Sequence, residues 1–401
     1  MLPAHEPTGP SLEGGRDLAL VLSGGGVNAV LLELGFLQRL RDSALWPRIG
    51  WIYGTSAGAL AGTMAALDRL DDLERFLLSL QPDETFRPHR LWQLPLTGLH
   101  DYALPATIAE RLDRPETLAR QLADAPIELV VVVTDMSTPA EPSGPHPFER
   151  TYSSRSTPPD VMGQAVLASA AISALVLPLR VGDTIGTDGG WVRNFPLGHA
   201  YDNPAIAGII GFRYLARYPA ASSEPLSRVR RRLEPFRAVP PVKALIAELA
   251  EAEERHARGE PAHLPEMIVR LMRVAIARNT ELEERFAGER DRSLSELEAL
   301  RRDVVSAARR SALPWRRRRV EAELEAVFAA ASFPFAHDRA LPTLIVRGEA
   351  GEHALEQSLR TGLQWDEAAK RALVERGRTL AADVLRRDSA GLSRDSRGTV
   401  G

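Results

Sequence analysis

Cysteine is absent from all 401 residues. That removes disulfides, thiolate zinc sites and a cysteine nucleophile, and it fits a reducing compartment. Lysine is nearly as scarce: Lys243 and Lys370 stand alone, and arginine carries the remaining positive charge. So lopsided a composition warns against giving every arginine cluster a role. Long apolar runs are missing too. The longest weakly interrupted one, Ala165 to Leu179, is too short to span a bilayer and contains Ser169, Ser173 and Pro178. Met1 to Arg16 is polar and rich in Pro and Gly, without the apolar core of a signal peptide. A net charge of −3 and a pI near 6.4 supply no dominant basic surface for nucleic acid. His89, His100, His146 and His199 lack metal-ligand spacing, so neither metal nor cofactor is expected. These absences read as a cytoplasmic protein.

What is present is ordinary for a globular chain, with 44% hydrophobic and 26% charged residues. The length calls for one large domain or two. Leu18 to Ser23 is a short apolar run with the look of a buried strand. It enters Gly24-Gly25-Gly26 and then a helical pattern from Ala29 to Leu40. Trp51 to Tyr53 reads as a second strand, followed by helical patterns over Ala57 to Leu67 and Asp71 to Leu80. Phe86 to Leu104, broken by prolines, reads as an irregular cap. Its Leu91 and Trp92 belong either to a lid or to the core. A helix-like stretch from Ala106 to Leu122 leads to the clearest strand, Ile127 to Val133.

Pro139 to Pro159 reads as a loop, Val161 to Ile172 as a helix, and Leu179 to Thr187 as a strand pair around Gly182-Asp183. Ala205 to Phe212 is another buried strand. Strands alternating with helices predict an α/β fold with a mostly parallel sheet, and ligands beyond the carboxyl ends of its strands. Val242 to Ala331 is Arg/Glu/Ala/Leu-rich and helical. The expected organisation is a loose N-terminus over 1–17, an α/β core over 18–218 and a helical insertion or subdomain over 219–335. A strand near Leu344 to Val346 and a helix from Trp365 to Arg387 fill 336–387, before a disordered tail over 388–401.

Three pieces carry chemistry. Gly54-Thr55-Ser56-Ala57-Gly58 is Gly-x-Ser-x-Gly between a strand and a helix, the pattern of a nucleophile elbow. Its bland alternative is a small-residue turn packing a helix on a sheet. Gly24-Gly25-Gly26 leaves backbone N–H groups unshielded, as an anion site requires. Asp188-Gly189-Gly190 follows a strand.

Two rival readings use the same residues. Gly24-x-Gly26-x-x-Ala29 matches a dinucleotide motif, yet the second strand ends in Gly-Thr-Ser-Ala-Gly where an acid for the ribose is needed. Ser56, Asp188 and His199 satisfy the order of an α/β-hydrolase triad. That fold, however, places several strands before its serine, and here only one precedes the strand that delivers Ser56. Asp135, a lone acid at the end of the best strand, reads as a cap or turn residue.

Together with Ala168 to Ile172 and Asn194-x-Pro196, the three motifs resemble the patatin-like phospholipases from Leu18 to Phe212. The resemblance implies a three-layer α/β/α fold, a Ser-Asp dyad and hydrolysis of lipid acyl esters, of phospholipase A, lysophospholipase or esterase type. By position, Ser56 becomes the nucleophile and Asp188 its base. The glycine turn Gly24, Gly25 and Gly26 becomes the oxyanion hole, the N–H groups of Gly25 and Gly26 donating. Asn28, Gly54, Gly58, Gly189 and Gly190 support them. No metal is implied. The implied partner is a lipid or acyl-ester substrate, with peripheral contact at a membrane.

The chain departs from the family where Lys or Arg then Gly is replaced by Asn28 and Ala29, and at Ser173, Val176 and Leu177. The alternative is therefore a weak or inactive member that binds lipid or regulates. Arg316 to Arg319 reads as a solvated helix face rather than a headgroup contact.

Overall fold

The computed structural model describes residues 15–88, 100–137, 147–172, 176–215, 224–260, 264–331, 335–337, 340–351, 354–355 and 365–393. The segment that carries Leu91 and Trp92, together with Ser173, His89, His146 and residues 1–14 and 394–401, lies outside them.

The sheet grows from β1 (Leu18–Leu22), an all-apolar run buried along its whole length. Such a strand is stable only where both faces are covered. It pairs in parallel with β2 (Ile49–Thr55) on one side and β9 (Gly208–Tyr214) on the other. β10 (Thr343–Gly348) extends the sheet beyond β9, and β5 (Glu128–Asp135) extends it beyond β2, both in parallel. The far side of β5 is antiparallel: β8 (Thr184–Asp188) pairs with it, and β7 (Leu179–Val181) pairs with β8. The order is β10-β9-β1-β2-β5-β8-β7.

Alternation along β1 divides the core. Leu18, Leu20 and Leu22 join the cluster built with α1 (Gly26–Arg41), α2 (Ala57–Ala66), α3 (Leu70–Ser79), α6 (Pro159–Ser169) and α13 (Glu367–Ser393). Ala19 and Val21 face the opposite layer, with Phe195 and the Leu197 and Tyr201 side chains of α8 (Leu197–Tyr201). This is the expected three-layer α/β/α fold with a mostly parallel sheet.

Between the layers' main elements lie a short hairpin of β3 (Phe86–Pro88) and β4 (His100–Tyr102), then α4 (Leu104–Arg111) and α5 (Pro115–Asp124). The single helix expected from Ala106 to Leu122 is thus two. Pro115 has no N–H to continue α4 and instead opens α5 at its first turn. The loop expected from Pro139 to Pro159 contains a strand, β6 (Glu149–Ser153), paired antiparallel with β5. Glu-Arg-Thr-Tyr-Ser is too polar to announce a strand, and its neighbour creates one.

Beyond β9 the described chain is helical through α9 (Glu224–Leu233), α10 (Pro240–Ala257), α11 (Leu264–Ser311) and α12 (Arg317–Ala330). α11 lies along α8 and the short α7 (Gly190–Arg193). At the ends the structure reaches further than the expected boundaries. Asp17 donates its N–H to Arg48 O and pairs with the Arg48 guanidinium, and α13 runs to Ser393. Among the described residues no helix is long and apolar enough to cross a membrane.

Candidate active site

Ser56 sits between the last residue of β2 and the first of α2, with φ 54° and ψ −118°. A non-glycine residue at positive φ stores roughly 1–3 kcal/mol of strain. The surroundings enforce it. A Cβ on Gly54 would lie 2.5 Å from Gly58 O, and one on Gly58 would lie 2.5 Å from Leu22 O. Only glycine at both places lets strand, turn and helix close this tightly. The Ser56 N–H donates to Ser169 Oγ at 2.9 Å, and that hydroxyl donates to Val132 O at 2.7 Å. The elbow is therefore tied to α6 and β5.

Strand β5 is the spacer that brings serine and acid together. Thr55 is paired with Val132 on one side of it, and Asp188 with Val133 on the other. As a result the Ser56 hydroxyl donates to Asp188 Oδ2 at 2.7 Å. The second carboxylate oxygen, Oδ1, accepts the Gly190 N–H at 2.7 Å, and the Thr134 hydroxyl donates to the Asp188 carbonyl at 2.7 Å. Both site residues are buried. Burial pushes the Asp188 carboxyl up to about 6, although the hydrogen bonds from Ser56 and Gly190 act in the opposite direction.

The glycine turn divides its labour. Gly24 donates its N–H to Asn194 O at 2.9 Å, so it is not a free donor as the sequence suggested. Its place is steric, against Asn194 and within 3.1 Å of Ser56 Cβ for an added methyl. The N–H groups of Gly25 and Gly26 have no acceptor among the described residues. Gly26 has φ +66°, and α1 begins there with neither a side-chain cap nor an acid in its first turn. The positive end of α1 is left open. Asn28 is buried; its Oδ1 accepts the Leu355 N–H at 2.9 Å, and its Nδ2 has no partner among the described residues.

Ser56, Asp188 and the glycine turn border a cavity of about 580 Å³. Away from them its wall is mostly apolar, formed by side chains such as Leu60 and Met64 of α2, Phe76 of α3, Ile108 of α4, Leu118 of α5 and Val166 of α6, with Arg213 and Arg273 also on its border. Met272, Ile276 and Thr280 of α11 also border it. An uncharged chain of methylenes suits such a wall, and a polar end suits the Ser56 region. Among the described residues no group of three or more His, Asp or Glu side chains gathers as metal ligands would.

His199 is elsewhere. Its Nε2 meets Glu149, as does the Arg193 guanidinium, and both oxygens of Asp188 are taken by Ser56 and Gly190. Burial opposes ionisation of Glu149, but the hydrogen bonds and charges of His199 and Arg193 outweigh it and hold that carboxyl at about 2. The Ser-Asp-His triad is not assembled. Sequence reasoning missed the part of α11. Asn279 and Thr280 bond to the loop after Asp188, and nothing in the charged helical run singled them out.

Residues 20–201 match the patatin-like phospholipase family model. A solved structure, VipD from Legionella pneumophila, is similar at 18% identity over 55% of this chain, with a TM-score of 0.33. The match spans about half of VipD's own length, 55%. No curated protein matches. The glycine turn, Ser56 and Asp188 all lie inside the stretch 20–201 that matches this family model.

Proposed function

We propose that the protein is a serine hydrolase of lipid acyl esters, with Ser56 as nucleophile and Asp188 as its base. The observation that carries this reading is the 2.7 Å hydrogen bond from Ser56 to Asp188 at the border of a mostly apolar cavity. A serine hydroxyl becomes nucleophilic only beside a base, and a desolvated carboxylate poised near neutrality can serve. As Ser56 Oγ attacks the ester carbonyl carbon, its proton passes to Asp188 Oδ2. The oxygen that becomes negative is placed at the Gly25 and Gly26 N–H groups, where the open end of α1 favours it. The intermediate collapses, the alcohol leaves with the proton from Asp188, and an acyl group remains on Ser56. Water, deprotonated by Asp188, then releases the fatty acid.

The apolar wall supports a lipid acyl chain as the group transferred. A phospholipase A, a lysophospholipase and a simple esterase all share this chemistry, and the head group separates them. A second reading, a lipid-binding protein without turnover, draws on Asn28. It brings no charge to the glycine turn and is committed to Leu355. A fluorophosphonate probe decides between the two. Wild type is expected to label and Ser56→Ala is not; equal labelling of the two proteins removes Ser56 as nucleophile.

A further inference from the structure

The loop that follows Asp188 is held from outside the sheet by two neighbouring residues of α11. Asn279 Oδ1 accepts the Asn194 N–H at 3.1 Å, and Asn279 Nδ2 donates to Gly190 O at 2.6 Å and to Trp191 O at 3.2 Å. Next to it, the buried Thr280 hydroxyl accepts from Asn194 Nδ2 at 3.2 Å. Asn194 in turn accepts the Gly24 N–H, and Gly190 donates to Asp188 Oδ1. A single side chain of α11 is therefore one residue removed from both halves of the site: the glycine turn through Asn194, and the carboxylate through Gly190.

We propose that Asn279 is a positioning residue for the hydrolytic site, clamping the Asp188 loop and the glycine turn in register. The proposal rests on the hydrolase reading, and it gives a part in the chemistry to a helix outside the residues that match the family. An amide suits this place. Its oxygen takes a backbone N–H while its nitrogen serves two carbonyls, a combination that neither a carboxylate nor a hydroxyl supplies. The rest of α11 is fixed away from that loop by ion pairs, Glu284 with Arg213 and Arg290 with Asp202. Losing Asn279 thus leaves the helix docked while the loop beneath it loosens.

The test is Asn279→Leu in the full chain, with Arg285→Ala as control, since Arg285 pairs with Glu289 on the exposed side of α11. On a soluble short-chain ester, Asn279→Leu is expected to lower kcat on the order of 10- to 100-fold with KM changed less than about threefold. The control stays at the wild-type rate. Amide exchange is expected to quicken in peptides covering residues 23–30 and 188–195, and not in β1 or β5. Wild-type kcat in a folded Asn279→Leu, or a loss that merely follows the fraction unfolded, overturns the proposal. If wild type itself neither turns over ester nor takes the probe, the hydrolase reading has failed. Exchange at those two peptides then decides the clamp alone: unchanged protection overturns it, and faster exchange upholds it.

Discussion

Three buried carboxyl groups in this fold differ in which donors reach them, and their chemistry follows that difference. Glu33, in the middle of α1, is fully buried, and neither of its oxygens has a partner among the described residues. Burial alone holds its carboxyl well above the usual range, so it stays a neutral acid. Asp188, at the end of β8, is almost as buried but accepts from Ser56 and Gly190, and it is pushed up only to about 6. Asp135, at the end of β5, is also desolvated, yet Ser137 and Arg150 outweigh that and hold it below the ordinary value. Burial without partners makes an inert acid, and burial with an ion pair makes a permanent anion. Two neutral donors leave the carboxyl in between, able to gain and lose a proton near neutrality, as a general base must.

The largest expected effect of disturbing this series is on turnover. Asp188→Asn cannot accept the Ser56 proton, and we expect kcat to fall on the order of 10³-fold or more. Adding Ser56→Ala should cost little further, because the two act as a unit. A mild Asp188→Asn beside a damaging His199→Ala would restore the triad that the geometry leaves unassembled. In wild type the base must be ionised, so kcat/KM should rise with pH through about 6 and level off above it. A profile already flat at pH 5 would mean that another group takes the proton.

Next in size are stabilities, where the comparison predicts that Asp188 is a liability. The folded state raises Asp188 from 3.8 to about 6. The stabilisation associated with its neutral form is complete below pH 3.8 and is lost as pH climbs through 6. At pH 8 the ionised, buried group therefore costs about 3 kcal/mol. Asp188→Asn should melt higher than wild type at pH 8, with the gap closing towards pH 4. Glu33→Leu should also stabilise, by about 1–3 kcal/mol at neutral pH, because it removes two buried acceptors that nothing serves. Its advantage grows as pH rises, since wild type must then either keep its proton or bury a charge. Thermal melts across pH settle both. A destabilised Glu33→Leu would show that the carboxyl has a partner in solution.

Much of this was legible in the sequence because it depends on backbone geometry with a fixed residue signature. The elbow needs glycine at 54 and 58, the glycine turn needs glycine at 26, and the runs Leu18 to Ser23 and Ile127 to Val133 read as strands. What stayed hidden depends on contacts between distant segments. β6 is a strand only because β5 lies beside it. Gly24 gives up its N–H to Asn194, 170 positions away, which no local pattern reveals. Asn279 and Thr280 sit where α11 turns from apolar to charged, and two polar residues in such a helix look like solvated surface. Glu33 reads as one more charge on an amphipathic helix until α13 is packed over α1.

The smallest expected effect belongs to Asp135, and it is the check on the whole series. Register places this residue opposite Gly186, two positions before Asp188 on the neighbouring strand, so proximity alone would make it a candidate for the chemistry. Its bonds argue otherwise: Oδ1 takes the Ser137 N–H at 2.9 Å, and Oδ2 takes Arg150 Nε at 2.8 Å. A carboxyl held below its ordinary range is a poor proton acceptor. Asp135→Asn keeps an oxygen for Ser137 and loses the charge that faces Arg150, whose own side chain is 51% exposed. Such a half-solvated pair contributes about 1 kcal/mol or less. The stability difference should be present at neutral pH and vanish in acid as wild-type Asp135 is itself protonated. Turnover should stay within about twofold of wild type. A tenfold fall in kcat in a folded Asp135→Asn would break the link between the kind of donor and the role, and would move Asp135 into the site beside Asp188.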